Sequence, residues 1–393
     1  MAQSATGVRQ AAPPLAAEQF AQAAGLTYLN HAAAGVLPVR TRDAVLALIN
    51  GQAERGVLGF LSAEAALPAI RKRICRFVGG RGDGVALLRN TGDGANVVAR
   101  GLDWQPGDEV VLCDNEFGAN AMPWLALREL GVTIRFIRTP HERMTPDVLR
   151  REVSARTRVV AVSWVSFFDG YRHDLAALAE IAHAAGAWFC VDAIQGLGAF
   201  PLDAEALGID ALYAGGAKWL LALPGVSILY LAPRLFERLV PRWRGWRDVA
   251  NIWNFLEYDQ PLAEDGSRFE GGTPNFHGAV ALSNSMDVIE EGGLENVAAH
   301  VLTLTDRFVE GLRALGAEIA TVRGPGVSSG IVTFALPGVD SVALGRQLGK
   351  AGIVTTFRPT GIRVSPHGHN PAAHIDELLA ELRTLRTSSN LAD

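Results

Sequence analysis

A lysine and an aspartate, each closing an apolar run, are the residues of this chain whose type and setting best suit covalent chemistry. Lys218 stands in Ala211-Leu-Tyr-Ala-Gly-Gly-Ala-Lys-Trp-Leu-Leu221, and Asp192 in Trp188-Phe-Cys-Val-Asp-Ala-Ile-Gln195. A primary amine forms a Schiff base with an aldehyde, and a carboxylate keeps a neighbouring pyridine nitrogen protonated. Together they meet the needs of pyridoxal 5'-phosphate, whose protonated ring draws electrons from the substrate Cα and makes the bonds there breakable. Each residue also has a plainer reading. An aspartate at a strand end often caps the next helix, and most lysines are solvated. Lys218, however, is an isolated charge between Ala-Gly-Gly-Ala and Trp-Leu-Leu-Ala-Leu. Such a setting lowers the pKa of an amine and makes it a nucleophile and base.

Other segments offer the remaining parts of such a site. Gln195, just past Asp192, reads either as a donor to a phenolic oxygen or as a surface amide. The loop Arg89-Asn-Thr-Gly-Asp-Gly-Ala-Asn96 follows one apolar run and opens a helix expected over 95–102. Its backbone N–H groups, at the positive end of that helix, suit a phosphate; Asp93 as a simple helix cap is the competing account. Phe117, in Cys113-Asp-Asn-Glu-Phe-Gly-Ala-Asn120, either covers the face of a flat ring or fills the core. Arg363, in Gly361-Ile-Arg-Val-Ser365, either clamps a carboxylate through two donors or joins a surface ion pair.

The elements that must position these residues follow from the apolar pattern. Seven short, almost continuously apolar runs, over 85–88, 109–113, 133–137, 158–163, 187–191, 211–214 and 226–231, alternate with helical periodicity such as that of 175–183. This order predicts an α/β fold, a mostly parallel seven-stranded sheet covered by helices on both faces. Right-handed crossovers then gather the strand C-termini, and any ligand, along one edge. The character changes near Phe269-Glu-Gly-Gly-Thr-Pro-Asn275. A long helical pattern over 279–315 and a smaller α+β unit follow, with strands near 329–334, 353–357 and 361–365 and helices near 341–350 and 372–385. The expected division is an N-terminal segment over 1–24 packing with the small domain, a large cofactor-binding domain over 25–275, and a linking helix with a small C-terminal domain over 276–393.

Composition narrows the partners. A chain of 393 residues, 49% hydrophobic and 20% charged, is an ordinary globular enzyme in make-up. A net charge of −5 without a basic block argues against nucleic acid and membrane surfaces; Arg242-Trp-Arg-Gly-Trp-Arg247 reads as a pocket rim or surface loop. No apolar run approaches a membrane span, and Met1-Ala-Gln-Ser-Ala-Thr-Gly-Val-Arg-Gln10 lacks the features of a signal peptide. The three cysteines, Cys75, Cys113 and Cys190, fall within helix or strand patterns, as buried thiols of a cytoplasmic protein do. His367-Gly-His369 has no metal-spaced partner in sequence and is expected to be a loop.

Taken together, these segments resemble the class V aminotransferases, the fold-type-I pyridoxal phosphate enzymes that include cysteine desulfurases, kynureninases and isopenicillin N epimerase-like proteins. The resemblance runs from Tyr28-Leu-Asn-His-Ala-Ala-Ala-Gly35 to the C-terminal helix and is most specific at Val191-Asp-Ala-Ile-Gln195, Ala217-Lys-Trp-Leu220 and Phe269-Glu-Gly-Gly-Thr-Pro-Asn275. It implies that Lys218 binds the cofactor aldehyde, Asp192 pairs with the ring nitrogen, Gln195 touches the phenolic oxygen and Phe117 stacks on the ring. It places Thr91 and Gly92 in the phosphate loop and Arg363 on the substrate α-carboxylate. Thr273 falls where a neighbouring subunit reaches the phosphate site, which implies a homodimer. Gly215 and Ala217 stand where the family often has a serine and a histidine, and Phe167 where desulfurases have an asparagine. Desulfurases also carry a nucleophilic cysteine on a longer loop before the substrate arginine, whereas this chain reads Phe357-Arg-Pro-Thr-Gly-Ile-Arg363; a cysteine-nucleophile desulfurase is therefore not expected. The expected activity is amino transfer or β-elimination and C–S cleavage on an amino acid, with epimerisation of the isopenicillin N epimerase type as the alternative. A non-catalytic nucleotide-binding or scaffold protein is the reading from another class. Against it, the 90–96 loop lacks a dinucleotide glycine pattern and Lys218 is left without a purpose.

Overall fold

In the computed structural model, which describes residues 12–138, 143–358 and 360–387, the apolar runs form the expected sheet. Residues 1–11 of the N-terminal segment, and with them the stretch read for a signal peptide, lie outside the described residues. After β1 (Thr27–Tyr28), α1 (Val39–Arg55) and α2 (Leu61–Phe77), strand and helix alternate. They run β2 (Val85–Leu88), α3 (Thr91–Gly101), β3 (Glu109–Cys113), α4 (Gly118–Leu125), β4 (Thr133–Ile137), α5 (Pro146–Glu152), β5 (Thr157–Ser163), α6 (Leu175–Ala184) and β6 (Trp188–Asp192). β7 (Ala211–Gly215) and β8 (Ser227–Leu231) complete a seven-stranded sheet of order β2-β8-β7-β6-β5-β3-β4. Only β8 runs antiparallel, to both of its neighbours.

Why the strands carry continuous apolar runs is visible in their side chains. Val110 and Leu112 of β3 enter one hydrophobic core, while Val111 and Cys113 enter the other. Successive residues point to opposite faces, and both faces are covered, so every position needs an apolar side chain. Side chains close the helix starts: Asn90, Asp174, Asn275 and Asp340 each accept a hydrogen bond from a first-turn amide of α3, α6 and two later helices.

Beyond α7 (Pro233–Phe236), the pattern expected as one helix over 279–315 is two, α8 (Phe276–Gly292) and α9 (Leu294–Ala314). Gly293 lies between them at φ 75°, a conformation that a side chain would oppose. Next come β9 (Glu318–Ile319), β10 (Val332–Ala335), α10 (Ser341–Lys350), β11 (Ile353–Val354), β12 (Thr356–Arg358), β13 (Gly361–Val364) and α11 (Ala372–Thr387). The strand expected over 353–357 is thus divided. β11 pairs with β1, whereas β12 joins an antiparallel sheet of order β12-β13-β10-β9. That sheet and its helices have a core of their own, with Phe308, Phe334, Leu348, Ile362 and Leu378. The parallel β1–β11 pair and the Leu15 N–H, which donates to the Gly368 carbonyl at 3.1 Å, tie the start of the described chain to this C-terminal unit. Among the described residues no helix is long and apolar enough to cross a membrane.

Candidate active site

Lys218 follows β7 on a tight turn that the surrounding chain holds from two sides. The Leu221 N–H donates to the Lys218 carbonyl at 3.1 Å, and Leu221 takes a φ of 54°, rare for a residue with a side chain. Its side chain is fully buried and its carbonyl accepts from Ser285 Oγ at 2.6 Å, so the packing fixes the unusual backbone. From the other side, the Gly35 N–H donates to the Ala217 carbonyl at 2.7 Å. A Cβ on Gly35 would stand 2.3 Å from the Lys218 carbonyl oxygen; only glycine allows the 30–35 loop to lie this close.

The lysine amine lies 5.6 Å from the centroid of the Phe117 ring. Burial lowers its pKa from the ordinary lysine range to about 8; the Asp192 carboxylate opposes that shift and the Arg363 guanidinium adds to it. Asp192, the last residue of β6, is buried and accepts from the Ile194 N–H at 2.9 Å. Burial pushes its carboxyl upward, the Ile194 amide opposes this, the carboxylate of Glu116 adds to it, and Lys218 opposes it.

Glu116 is a functional neighbour that the sequence reasoning missed. It accepts from the Ser163 N–H at 2.8 Å, from the Ser163 hydroxyl and from Asn120 Nδ2 at 3.0 Å, and burial raises its pKa. The signal was adjacent, since Glu116 immediately precedes Phe117 after β3, at the edge where strand C-termini gather. Among the described residues neither Glu116 nor Asp192 has an ion-pair partner. Burial raises both carboxyl groups and Glu116 adds to the rise of Asp192, a setting that favours a cation close by. A protonated pyridine nitrogen satisfies this demand, and the arrangement fits pyridoxal 5'-phosphate.

The other expected residues are placed as follows. Thr91 opens α3 behind its Asn90 cap, and its Oγ1 accepts from the Gly215 N–H at 3.1 Å. A Cβ on Gly215 would lie 3.2 Å from the same oxygen, so a side chain at that position would crowd the Thr91 hydroxyl. The amides of Thr91 and Gly92 lie in the first turn, where a helix leaves donors unpaired. Gln195 is buried with both polar atoms engaged: Nε2 donates to the Ala32 carbonyl at 3.0 Å and Oε1 accepts from Trp219 Nε1 at 2.9 Å. Phe117 is half-exposed and meets Phe167 edge to face at 5.3 Å. Thr273 is exposed in the turn before α8 and makes no described hydrogen bond to these residues.

Arg363 is the cation among them. It is buried, donates through Nη1 to the Phe167 carbonyl at 3.0 Å and through Nη2 to Thr356 Oγ1 at 3.4 Å, and leaves Nε without an acceptor. Burial and then the neighbouring Arg358 lower its pKa to about 10. No described carboxylate pairs with it. A buried guanidinium with a spare donor and no counter-ion is built to receive an anion. Thr356, whose hydroxyl donates in turn to Asn30 Oδ1 at 2.7 Å, braces it from across the hairpin. The histidines read as a loop are also more than that. His31 and His369 meet through their Nε2 atoms at 3.0 Å, and His367 Nε2 lies 2.9 Å from the Trp219 carbonyl, beside the lysine turn.

Residues 27–388 match the family described as aminotransferase class-V. A probable cysteine desulfurase of Methanothermobacter thermautotrophicus is 30% identical over 66% of this chain and 64% of its own length, so this chain spans a little under two thirds of that relative. A cysteine desulfurase of Klebsiella pneumoniae is 29% identical over 83% of this chain and 84% of its own. Among solved structures, that of the apo cysteine desulfurase of Thermococcus onnurineus NA1 superposes with a TM-score of 0.86 at 25% identity, covering 96% of this chain and 98% of that one. These likenesses overturn the exclusion of a cysteine-nucleophile desulfurase drawn from the 357–363 segment. Proteins named for that activity agree with this chain in sequence and in backbone along most of its length. One short hairpin without a cysteine is too local a difference to exclude their reaction class.

Proposed function

We propose that this chain, which belongs to the class-V aminotransferase family, cleaves the C–S bond of a cysteine-like α-amino acid. Pyridoxal 5'-phosphate is the cofactor; when bound, it supplies an aldehyde carbon for the amine and a ring that accepts electron density from the substrate Cα. The reading rests above all on one observation: the Lys218 amine, lowered by burial, lies within electrostatic reach of the Asp192 carboxylate and of the unpaired Arg363 guanidinium.

The residues divide the work between them. Lys218 Nζ would hold the cofactor through its aldehyde and is the base placed to take the Cα proton of a substrate; a pKa lowered to about 8 suits both tasks. Asp192, with Glu116 behind it, holds a proton on the ring nitrogen. The amides of Thr91 and Gly92 and the Thr91 hydroxyl bind the phosphate, and Phe117 lines one face of the ring. Gln195, tied to Ala32 and Trp219, stiffens the floor of the site and lies beside the phenolic oxygen. Arg363 would grip the substrate carboxylate and so fix how the bonds at Cα are oriented in the site.

The proposal extends to a homodimer in which Thr273 reaches the phosphate site of the neighbouring subunit. Supporting it, the segment leading to Thr273 exposes Trp243, Trp246, Trp253, Phe255, Leu256 and Tyr258, an apolar surface of the kind that subunit contacts cover. Borohydride reduction followed by peptide mass spectrometry tests the enzyme reading, which expects a pyridoxyl group on the Lys218 peptide; an unmodified peptide refutes it. Incubation with L-cysteine, L-cystine and L-alanine tests the reaction, and C–S cleavage, read as sulfide from cysteine and as cysteine persulfide from cystine, is the expected result. Keto-acid formation by amino transfer alone, or Cα inversion alone, would replace C–S cleavage with transamination or epimerisation.

A further inference from the structure

The hairpin that carries Arg363 carries a second unpaired arginine on the same face. β12 and β13 pair Thr356 with Arg363, Phe357 with Ile362 and Arg358 with Gly361. Side chains alternate along a strand and directly paired residues share a face, so Thr356, Arg358 and Arg363 project to one side. That side is turned toward the site, because Thr356 Oγ1 accepts from Arg363 and donates to Asn30. Arg358 lies two register pairs nearer the hairpin tip, opposite Gly361, which has no side chain to crowd it. The guanidinium lies 5.7 Å from the centroid of the Phe167 ring. Phe167 in turn meets Phe117, and Phe117 lies beside the Lys218 amine. A continuous wall therefore runs from the reactive amine through two aromatic rings to an exposed cation at the rim.

Carboxylates of Asp192 and Glu116 stand near the lysine end of this wall, but at its arginine end the charge is one-sided. Lys218, Arg363 and Arg358 line the wall, and among the described residues neither arginine has a carboxylate partner. The two guanidinium groups are close enough for Arg358 to disfavour the charge on Arg363. Like charges brought together without a counter-ion are costly unless a ligand supplies the anions. One α-carboxylate neutralises Arg363 and leaves Arg358 unanswered.

We infer that Arg358 and Arg363 read two anionic groups on one substrate, so that this site prefers, over an amino acid such as cysteine, one that carries a second acidic group at the end of its side chain. The inference rests on the function proposed above and narrows its preferred substrate class to acidic amino acids, sulfur-bearing acids included. Arg363 holds the α-carboxylate. Arg358 holds the side-chain anion at the rim, with the Phe117–Phe167 wall beside the carbon or sulfur chain between them.

Isothermal titration of the cofactor-loaded protein with succinate and with butyrate separates the two roles, because these ligands match in length and differ by one carboxylate. The wild-type chain is expected to bind succinate about tenfold more tightly than butyrate, the effect of one added partly solvated ion pair. Arg358→Gln is expected to abolish that preference while changing butyrate affinity less than about twofold, and Arg358→Lys to restore part of it. Arg363→Gln is expected to weaken both ligands. A succinate preference that survives Arg358→Gln, or an equal loss for both ligands, overturns the inference. A protein that stays colourless with pyridoxal 5'-phosphate refutes the proposed function instead, and the same titrations on that colourless protein still read the two arginines.

Discussion

Replacing Gly35 by alanine tests how the reactive lysine is held. The added Cβ would stand 2.3 Å from the Lys218 carbonyl oxygen and 2.8 Å from Leu221 Cδ2, where ordinary contact begins at 3.4 Å. The 30–35 loop and the lysine turn must therefore separate by roughly 1 Å (3.4 less 2.3), stretching or breaking the 2.7 Å bond from Gly35 to Ala217. Overpacking of this size costs about 1–3 kcal/mol and a lost buried hydrogen bond about 1 more. The melting temperature should fall by about 2–5 °C. Displacing the lysine by about 1 Å should also slow turnover on the order of 100-fold. Differential scanning fluorimetry reads the first effect, and sulfide release from cysteine reads the second. Gly349→Ala is the control: it lies in α10, where a Cβ would meet nothing within 4 Å, and should stabilise by about 0.4–1 kcal/mol. A Gly35→Ala protein that melts and turns over like the wild type would refute the view that this contact sets the lysine.

Three further outcomes are expected. Because the Lys218 amine is lowered to about 8, its ammonium loses the proton as pH rises through that value, and the neutral amine is the reactive form. Covalent capture of pyridoxal 5'-phosphate by the cofactor-free chain, followed by absorbance, should therefore accelerate about tenfold from pH 6 to 7 and level off above about pH 8. A rate still climbing tenfold per pH unit at pH 9 contradicts the lowered pKa. Asp192→Asn should keep the cofactor bound yet reduce turnover on the order of 100-fold or more, since a neutral amide cannot hold the ring proton; unchanged kcat removes Asp192 from that role. Thr356→Val takes away the brace between Asn30 and Arg363 and should raise KM about fivefold with kcat nearly constant; a loss confined to kcat argues against positioning.

The sheet was legible because a strand buried on both faces needs apolar residues throughout, and such runs stand out against helical periodicity. The α8–α9 break was not, because the apolar period continues on either side of Gly293 and only the backbone reveals its positive φ. The division of the 353–357 strand depends on partners at opposite ends of the chain, β1 for one half and β13 for the other. Within the site, Lys218 and Asp192 stood out as charges in apolar company, and the structure brings them within electrostatic reach of each other and of Phe117 and Arg363. Glu116 did not stand out, because its meaning lies in Ser163, on a different strand. Nor did Thr356 and Arg358, whose importance comes from hairpin register. The cysteine-free hairpin, in contrast, weighs little against a likeness spread over the whole chain.

The hydroxyl of Thr356 and the amide oxygen of Asn30 belong to residues 326 positions apart, and β1 can find β11 only across a similar span. A ribosome making this chain thus releases Asn30 long before the strand that answers it exists. The large sheet can collapse while synthesis continues, but the carboxylate grip must wait for the final hairpin to emerge. Binding competence is consequently the last property the nascent polypeptide acquires. Partial products ending before residue 353 would hold their reactive lysine in an unfinished pocket, with no arginine to receive a substrate.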